Sequence, residues 1–180
     1  MYDVAIIGGG IIGCSIAREL SGYNLKVCVL EKASDVGCGT SKANSAIVHA
    51  GYDASPGSLK AKLNIEGNSL YTTVCQELSI PFQRVGSLVV AFDEKEVADL
   101  NVLYEKGLKN KTPGIRIIAR EELRALEPYL AEQAVAALYA ETAGIICPFT
   151  LTIALAENAC TNGVDFFFDT EVKAVYAMRP

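Results

Sequence analysis

Apolar residues along the chain fall into short runs that glycines and polar turns separate. The first run, residues 2–7, ends at Gly8-Gly9-Gly10 and predicts a strand. A helix is predicted from Ile11 to Leu20, with Gly22 as its C-terminal cap. Residues 26–30, Lys-Val-Cys-Val-Leu, lack alternation, which is typical of a strand covered on both faces. These elements predict a right-handed parallel βαβ unit.

The next part of the chain combines a long loop with a long helix. A polar, glycine-bearing loop runs over 31–58, and loops of this length inside a compact domain are usually functional. A helix is predicted over 56–78. Its apolar residues at helical spacing are expected to face the core: Leu59, Leu63, Leu70, Val74 and Leu78.

Beyond Pro81, strands and helices alternate without the glycines of a phosphate-binding loop, which predicts a separate layer. Pro148 fits the first position of a helix that ends at Asn162-Gly163. The predicted elements are strands over 86–92, 115–119 and 135–140, helices over 94–108, 120–126 and 148–161, and a final strand pair over 164–168 and 171–176.

Composition and charge narrow the range of functions. The chain has 180 residues, of which 51% are hydrophobic, and a net charge of −5. An acidic protein of this kind lacks the basic face that nucleic-acid phosphates require, so no nucleic-acid partner is predicted. No run of about 20 apolar residues occurs, so no integral membrane segment is predicted either.

Six cysteines and one histidine limit the redox and metal chemistry. No two cysteines form a CxxC pair, and the apolar start of the chain indicates a strand rather than a signal peptide. We therefore predict reduced thiols in a cytoplasmic protein, with peripheral contact to a membrane left open. Cys14, in the first turn of the helix, is either a stabilised thiolate or a small buried residue. No metal site is predicted.

The strongest signal for chemistry is Gly8-x-Gly10-x-x-Gly13 between the first strand and its helix. Gly8 allows a tight turn, Gly10 leaves room for a pyrophosphate, and Gly13 lets the helix pack closely on the strand. The helix N-terminus adds N–H groups and a positive dipole end. Glu31, 23 residues after Gly8, can accept a hydrogen bond from a ribose hydroxyl and disfavours a 2′-phosphate. The pattern predicts FAD or NAD rather than NADP.

The loop after Glu31 favours FAD. Residues 31–53 resemble the flavin-binding loop of the D-amino-acid-oxidase-like superfamily. Within it, Asn44-Ser-Ala-Ile-Val-His-Ala-Gly-Tyr-Asp53, followed by Pro56-Gly-Ser-Leu-Lys-Ala-Lys-Leu-Asn64, is similar to the FAD-dependent glycerol-3-phosphate dehydrogenases. It is also similar to the L-2-hydroxyglutarate dehydrogenases, whose version has His-Ser-Gly-x-Tyr-Tyr. The resemblance continues through Gly86-Ser-Leu-Val-Val, Leu126-Glu-Pro and Gly144-Ile-Ile-Cys-Pro, and so spans nearly the whole chain.

This resemblance implies where the cofactor contacts lie. Thr40 and Ser41 would be near the pyrophosphate, Asn44 and Ser45 beside the isoalloxazine, and residues 46–48 along the ring. The backbone of Val172, in a strand with residues 170 and 171, would contact the adenine. The predicted cofactor-binding set is Gly8, Gly10, Ile12, Gly13, Glu31, Lys32, Thr40, Ser41, Asn44, Ser45, Val48 and Val172.

His49, the single histidine, is the predicted catalytic residue. It lies four residues beyond Ser45, so the length of the chain lets it reach the ring. Its imidazole could act as a base, a hydrogen-bond donor or a covalent flavin anchor. Alternatively, it is a loop histidine that a backbone partner satisfies. Tyr52 and Lys60 are weaker candidates for the substrate side, each favoured as a structural residue.

The elements and the resemblance imply an α/β fold. A doubly wound, Rossmann-like FAD-binding domain over 1–80 and 144–180 is interrupted by part of an α+β substrate domain over 81–143. Because proteins of this type are considerably longer, we expect the chain to be truncated and inactive by itself.

The function implied for the parent protein is FAD-dependent oxidation of a small anionic secondary alcohol by hydride transfer. An electron acceptor is implied as a partner: a quinone, a redox protein or oxygen. Glycerol 3-phosphate is the first candidate substrate and L-2-hydroxyglutarate the alternative. An NAD-dependent dehydrogenase and a catalytically silent nucleotide-binding fragment are the two remaining hypotheses.

Overall fold

The structure, a computed structural model, describes residues 1–177. Within them the elements follow in chain order: β1 (Val4–Ile7), α1 (Ile11–Leu20), β2 (Val27–Leu30), a 3-10 helix (Thr40–Lys42), β3 (Ile47–Val48), α2 (Leu59–Glu77), β4 (Phe82–Gln83), β5 (Ser87–Ala91), α3 (Glu94–Lys109), β6 (Ile115–Ala119), α4 (Arg120–Leu126), β7 (Ala136–Ala140), β8 (Gly144–Ile146), α5 (Pro148–Thr161) and β9 (Asp165–Phe167). They form two units. The first contains Met1–Ala46, Cys75–Pro81 and the described part of Cys147–Pro180; the second contains Ile47–Val74 and Phe82–Ile146.

The first unit is built on a parallel sheet with the strand order β1-β2-β9. Val4 pairs with Val27 and Cys28 pairs with Asp165, so β2 is central and hydrogen-bonded on both sides. Ala17 of α1 and Ala159 of α5 are fully buried in one cluster with strand residues that include Val29. Small residues on both helices let them approach the sheet closely. The predicted βαβ unit is confirmed.

The second unit contains two antiparallel sheets, ordered β3-β8-β4 and β5-β7-β6. β7 is the central strand of the larger sheet, and its residues alternate between two clusters, as the pleat of a strand requires. Leu138 packs in the cluster that contains Leu100 of α3. Ala137 packs in the cluster that contains Leu123 of α4. Both faces of β7 are therefore covered, which explains its continuous apolar sequence.

The prediction that Leu59, Leu63 and Leu70 of α2 are buried is wrong, whereas Val74 and Leu78 are half-buried. Leu59, Leu63 and Leu70 are 69%, 53% and 59% exposed within this chain. The buried residues are instead Ala61, Asn68 and Cys75, which are seven residues apart and therefore share one face of the helix. The small residues of this face let neighbouring segments of the chain approach the helix closely. The Asn68 side chain also donates hydrogen bonds to two backbone carbonyls. These contacts favour burial of this face over the leucine face.

The last predicted strand, over 171–176, is also wrong. The chain turns at Asp169, which has a φ of +50°, and Thr170 N–H donates to the Glu31 carbonyl at 2.9 Å. Beyond that bond, residues 171–176 have no strand partner among residues 1–177, so they form no ladder. The side chains of Val175 and Tyr176 are 79% and 86% exposed.

Two further observations concern the predicted domain boundaries and the predicted lack of an integral membrane segment. Residues 47–74 belong to the second unit, whereas the sequence grouped them with the rest of residues 1–80 in the nucleotide-binding part. Among residues 1–177, no helix combines the length and the apolar character that a membrane crossing requires.

Candidate functional site

The turn between β1 and α1 fits the role that the glycine pattern predicts. Gly8 has a φ of +103°, a left-handed conformation that favours glycine, and its N–H donates to the Leu30 carbonyl at 2.9 Å. Gly13 is buried, and a Cβ there would overlap the carbonyl oxygen of Gly8. Helix α1 therefore crosses its own entry turn at a distance that only glycine permits.

The N-terminus of α1 is open to an anion. Gly10 is its N-cap and contributes no side-chain hydrogen bond, and the first turn carries no acidic residue. Ser41 Oγ accepts a hydrogen bond from the Ile11 N–H at 2.9 Å. Because a hydroxyl that accepts still has its own proton, Ser41 can donate to a ligand oxygen. The helix dipole and this hydroxyl together favour a phosphate group.

Glu31 holds the glycine turn in place. One carboxylate oxygen accepts from the Gly9 N–H at 2.6 Å, and the other accepts from the Ala33 N–H at 2.8 Å. Burial raises the pKa of this carboxyl, but the two N–H donors and the adjacent Lys32 outweigh burial and lower its pKa overall. Each oxygen has a second lone pair for a ribose hydroxyl. Glu31 therefore shapes the turn as well as offering the predicted ligand contact.

Cys14 is the small buried residue rather than the thiolate. Burial, with a further contribution from the Glu31 charge, raises the pKa of its thiol to about 11. The thiol lies 3.4 Å from the Gly9 carbonyl, to which it donates. A neutral thiol is therefore part of the packing beneath the turn.

Replacing Glu31 with glutamine should destabilise the full-length protein in a pH-dependent way. The amide can accept from only one of the two N–H groups, and losing the charged bonds should cost about 1–3 kcal/mol in free energy of unfolding at pH 7. Because folding lowers the Glu31 pKa, this stabilisation is complete above the unfolded value of about 4.3 and is lost as the pH falls through the folded value. Urea unfolding at pH 7 and at lower pH measures the difference.

The surface variant Glu19→Gln is the control, since Glu19 is exposed on α1. It should leave the free energy of unfolding within about 0.5 kcal/mol of wild type. A stability difference for Glu31→Gln that stays constant as the pH falls below about 4 would contradict the role given to the carboxylate. FAD retention after gel filtration should also fall in Glu31→Gln but not in Glu19→Gln.

The loop after the glycine turn is folded by its own side chains. Asn44 Nδ2 donates to the Ser41 carbonyl at 2.7 Å, and Asn44 Oδ1 accepts from the Ala46 N–H at 2.8 Å. These bonds hold Ala46 in a left-handed conformation, with a φ of +61°. Thr40 and Ser45 are exposed and available to a ligand. Asn44 therefore fixes the loop, and a ligand contact from its side chain would be additional.

The remaining members of the predicted cofactor set differ in what they can offer. Ile12 is 71% exposed on α1 and Lys32 is exposed, whereas Val172 is half-buried. Val48 is 3% exposed in β3, so only its backbone could serve a ligand. The structure brings the three glycines, Glu31 and Ser41 together in the first unit. Val48 and His49 belong to the second unit.

The segment that carries His49 is fixed along its backbone. Gly51 is buried with a φ of +98°, and a Cβ there would come within 2.5 Å of Ile65 Cδ1. Asn110, the C-cap of α3, donates to the carbonyls of Gly51 and Ala54 at 3.0 and 2.8 Å. The His49 side chain is exposed beside these fixed residues. The sequence His-Ala-Gly-Tyr thus anchors the backbone through Ala50 and Gly51 and leaves the imidazole free.

Sequence reasoning missed the asparagines that hold this segment. Asn64 and Asn68 of α2 both donate to the His49 carbonyl, at 3.1 and 3.0 Å. Two asparagines four residues apart inside a long helix are the signal that could have found them, because asparagine is a poor helix former. Tyr52 packs with Ala50 in a small core cluster, and Lys60 is exposed in the first turn of α2.

The fold and the glycine turn define a dinucleotide-binding α/β protein. Residues 3–178 match the family described as FAD dependent oxidoreductase, and the chain belongs to that family. It is 56% identical over 172 residues to a glycerol 3-phosphate dehydrogenase from Caloramator mitchellensis, covering 96% of this chain and 36% of that protein. It is 37% identical over 173 residues to a mitochondrial L-2-hydroxyglutarate dehydrogenase from Nematostella vectensis, covering 95% of this chain and 38% of that protein.

The similarity extends to solved structures. The L-α-glycerophosphate oxidase from Mycoplasma pneumoniae, solved in a dithionite-reduced form with FAD bound, superposes with a TM-score of 0.88 at 39% identity. The match covers 96% of this chain and 46% of that one. The chain therefore spans less than half the length of the relatives it matches.

The cofactor of this family is FAD, and the residues of the first unit fit it. The open N-cap of α1 and the Ser41 hydroxyl suit a pyrophosphate, and the free lone pairs of Glu31 suit a ribose. The FAD prediction is confirmed at the level of the family. The individual contacts of the cofactor-binding set stay predictions.

Proposed function

We propose that the full-length protein oxidises glycerol 3-phosphate, a small anionic secondary alcohol, as an FAD-dependent dehydrogenase. The observation that carries this proposal is the 56% identity to the Caloramator mitchellensis glycerol 3-phosphate dehydrogenase, over 96% of the chain. The similarity to the Mycoplasma pneumoniae glycerophosphate oxidase at 39% identity supports the same substrate. Bound FAD supplies the acceptor for a hydride from the carbinol carbon.

The protein's own residues would hold the cofactor and move one proton. In this proposal Gly10, Thr40 and Ser41 receive the pyrophosphate, and Glu31 accepts from a ribose hydroxyl. The exposed His49 imidazole takes the proton of the substrate hydroxyl through a ring nitrogen as the C–H bond breaks. The hydroxyl carbon thereby becomes a carbonyl carbon. The backbone is fixed at His49 and at Gly51, which supports this role because a base must be held in place to be effective.

The remaining proposed contacts concern the flavin ring and the adenine. Asn44, Ser45 and the backbone of Val48 would line the ring, and the backbone of Val172 would contact the adenine. A second substrate that completes turnover, whether a quinone, a redox protein or oxygen, would take the electrons away. We place the enzyme in the cytoplasm, where a reducing environment keeps cysteines as thiols, and Cys14 is a buried thiol in the first unit.

L-2-hydroxyglutarate is the second candidate substrate. The 37% identity to the Nematostella vectensis L-2-hydroxyglutarate dehydrogenase favours it, again over nearly the whole chain. Both candidates combine an anionic group with a secondary alcohol, so the same base and the same hydride acceptor would serve either one.

Anaerobic reduction of the bound flavin distinguishes the two candidates. We expect glycerol 3-phosphate to bleach the visible flavin absorbance of the purified full-length protein within seconds, and L-2-hydroxyglutarate to do so at least tenfold more slowly. Glycerol, which has the same secondary hydroxyl but no anionic group, is the control and should leave the spectrum unchanged. Faster bleaching by L-2-hydroxyglutarate would replace the first candidate with the second. Bleaching by neither compound would contradict the proposed substrate class.

A further inference from the structure

The backbone of His49 is held by side chains that have no part in the proposed chemistry. Its carbonyl oxygen accepts from Asn68 Nδ2 at 3.0 Å and from Asn64 Nδ2 at 3.1 Å. Asn68 is only 7% exposed, and its amide also donates to the Thr142 carbonyl at 2.9 Å. One side-chain amide thus connects the end of β3 to the turn between β7 and β8.

Arg84 fixes the orientation of that amide. Its Nη1 donates to Asn68 Oδ1 at 3.0 Å and to the Thr142 carbonyl, and its Nη2 donates to the Asn68 carbonyl at 2.8 Å. Nε and Nη2 also donate to Thr72 Oγ1, at 3.3 and 3.2 Å. The guanidinium lies over the ring of Phe82, 5.1 Å from its centre. An amide whose oxygen faces a guanidinium must turn its NH2 group toward the two carbonyls.

The hydrogen bonds of Arg84 within the protein leave no free donor for a substrate anion. A guanidinium has five N–H donors, and Arg84 makes five hydrogen bonds within the protein. An anionic substrate could therefore reach it only by displacing bonds that already exist. Arg84 is cationic and exposed. Because its donors are already used within the protein, its role is structural rather than the binding of a substrate anion.

We infer that Asn68, oriented by Arg84, is a positioning residue that fixes the His49 backbone and so sets where the imidazole lies. This inference rests on the proposed role of His49 as the substrate-side base. Two observations support it together. The His49 carbonyl has two amide donors on one helix. The inner of these amides, that of Asn68, donates its other N–H to the Thr142 carbonyl and accepts from Arg84 through its oxygen.

The test replaces Asn68 with aspartate in the full-length, FAD-loaded enzyme. Aspartate keeps the size of the side chain and an acceptor for Arg84, but it turns a carboxylate oxygen toward the two carbonyls. Flavin reduction at saturating glycerol 3-phosphate should slow by about 3- to 30-fold, below the 10²-fold that a misplacement of about 1 Å can cost. FAD content should stay at the wild-type level.

A double-mutant cycle separates positioning from general damage. If Asn68 acts through His49, Asn68→Asp should change the rate by less than about twofold in a His49→Ala background. An equal slowing in both backgrounds would overturn the inference, as would an unchanged rate in Asn68→Asp alone. If His49→Ala itself reduces flavin at the wild-type rate, the proposed base is wrong and the positioning role falls with it.

Two further variants provide the controls. Thr72→Val removes an acceptor of Arg84 but leaves the bonds between Asn68 and His49 intact, and it should stay within about twofold of the wild-type rate. Arg84→Gln is the substitute if Asn68→Asp does not fold, because it frees the Asn68 amide to rotate without placing a charge in the core. It should slow flavin reduction by about 2- to 30-fold, and only when His49 is present. A full wild-type rate in Arg84→Gln would contradict the orienting role.

Discussion

Gly13→Ala should yield a full-length protein that unfolds more readily than wild type and retains no FAD. A methyl group at residue 13 would overlap the carbonyl oxygen of Gly8, and it would lie 3.4 Å from Ile6 Cγ2. Backbone cannot rotate aside as a side chain can, so α1 must move away from β1. Overpacking of this kind costs about 1–3 kcal/mol, or more where the backbone is the obstacle. The displaced helix N-terminus would then no longer face the pyrophosphate.

Thermal unfolding and the ratio of flavin to protein absorbance measure the two effects. Gly67→Ala is the matched control, because Gly67 lies in α2 and a Cβ there would meet nothing within 4 Å. It should retain full FAD and gain slightly in stability from helix propensity. Normal FAD content in Gly13→Ala would contradict the close crossing of α1 over its entry turn.

A substitution at Gly10, in the same turn, is expected to prevent FAD binding without preventing folding. A Cβ at residue 10 would lie 3.1 Å from Ser41 Oγ, a side-chain atom that can move by a few tenths of an ångström. Gly10→Val should therefore give a protein with normal circular dichroism that lacks the flavin colour, because the valine occupies the space that the pyrophosphate needs. Full loading of this variant would place the dinucleotide elsewhere.

Where the sequence pattern was long or carried end signals, it predicted the elements closely. Helix α1, strand β6 and helix α4 have the predicted bounds, and α5 begins at Pro148 as predicted. Helix α1 lies between a glycine turn and a C-terminal glycine, and α5 has proline at its first position. The strands β3, β4 and β8 contain only two or three residues each, which is too short for any alternation to be visible.

The error in α2 has a different origin. Periodicity indicates that a helix has two faces, but it does not show which face the rest of the protein covers. Leucine side chains are usually buried, so the sequence favoured burial of the leucine face. In α2 the bonds from Asn64 and Asn68 to the His49 carbonyl place the polar, small-residue face inward instead. These bonds join residues 15 and 19 positions apart, and a local pattern cannot report them.

The candidate site shows the same division between local and distant contacts. The sequence predicted the roles of Gly8, Gly10, Gly13 and Glu31, because a turn followed by a helix requires these residue types at this spacing. The contact of Ser41 with the Ile11 N–H joins residues 30 positions apart, so the sequence placed Ser41 near the pyrophosphate only by resemblance. Asn110, which holds Gly51 from 59 positions away, gave no sequence signal at all.

His49→Ala should slow the reduction of bound flavin by glycerol 3-phosphate by about 10²–10⁴-fold, which is the range for loss of a positioned general base. Alanine removes the imidazole but leaves the carbonyl that Asn64 and Asn68 hold, so the backbone of the segment should keep its conformation. FAD content should therefore stay close to the wild-type level. Stopped-flow absorbance under anaerobic conditions measures the rate directly.

The dependence of this rate on pH tests the assignment independently of its size. A base must be unprotonated to accept the substrate proton, so the wild-type rate should fall at low pH. The residual rate of His49→Ala should lose this dependence. His49→Gln is the closer control, because the glutamine amide can donate a hydrogen bond but cannot act as a base. If His49→Gln restores the rate, the imidazole acts as a hydrogen-bond donor and not as the base.

If flavin stays with the denatured wild-type protein but is released from His49→Ala, His49 is a covalent anchor. A rate in His49→Ala equal to wild type at every pH would leave His49 a structural residue, and the base would have to come from another part of the full-length protein.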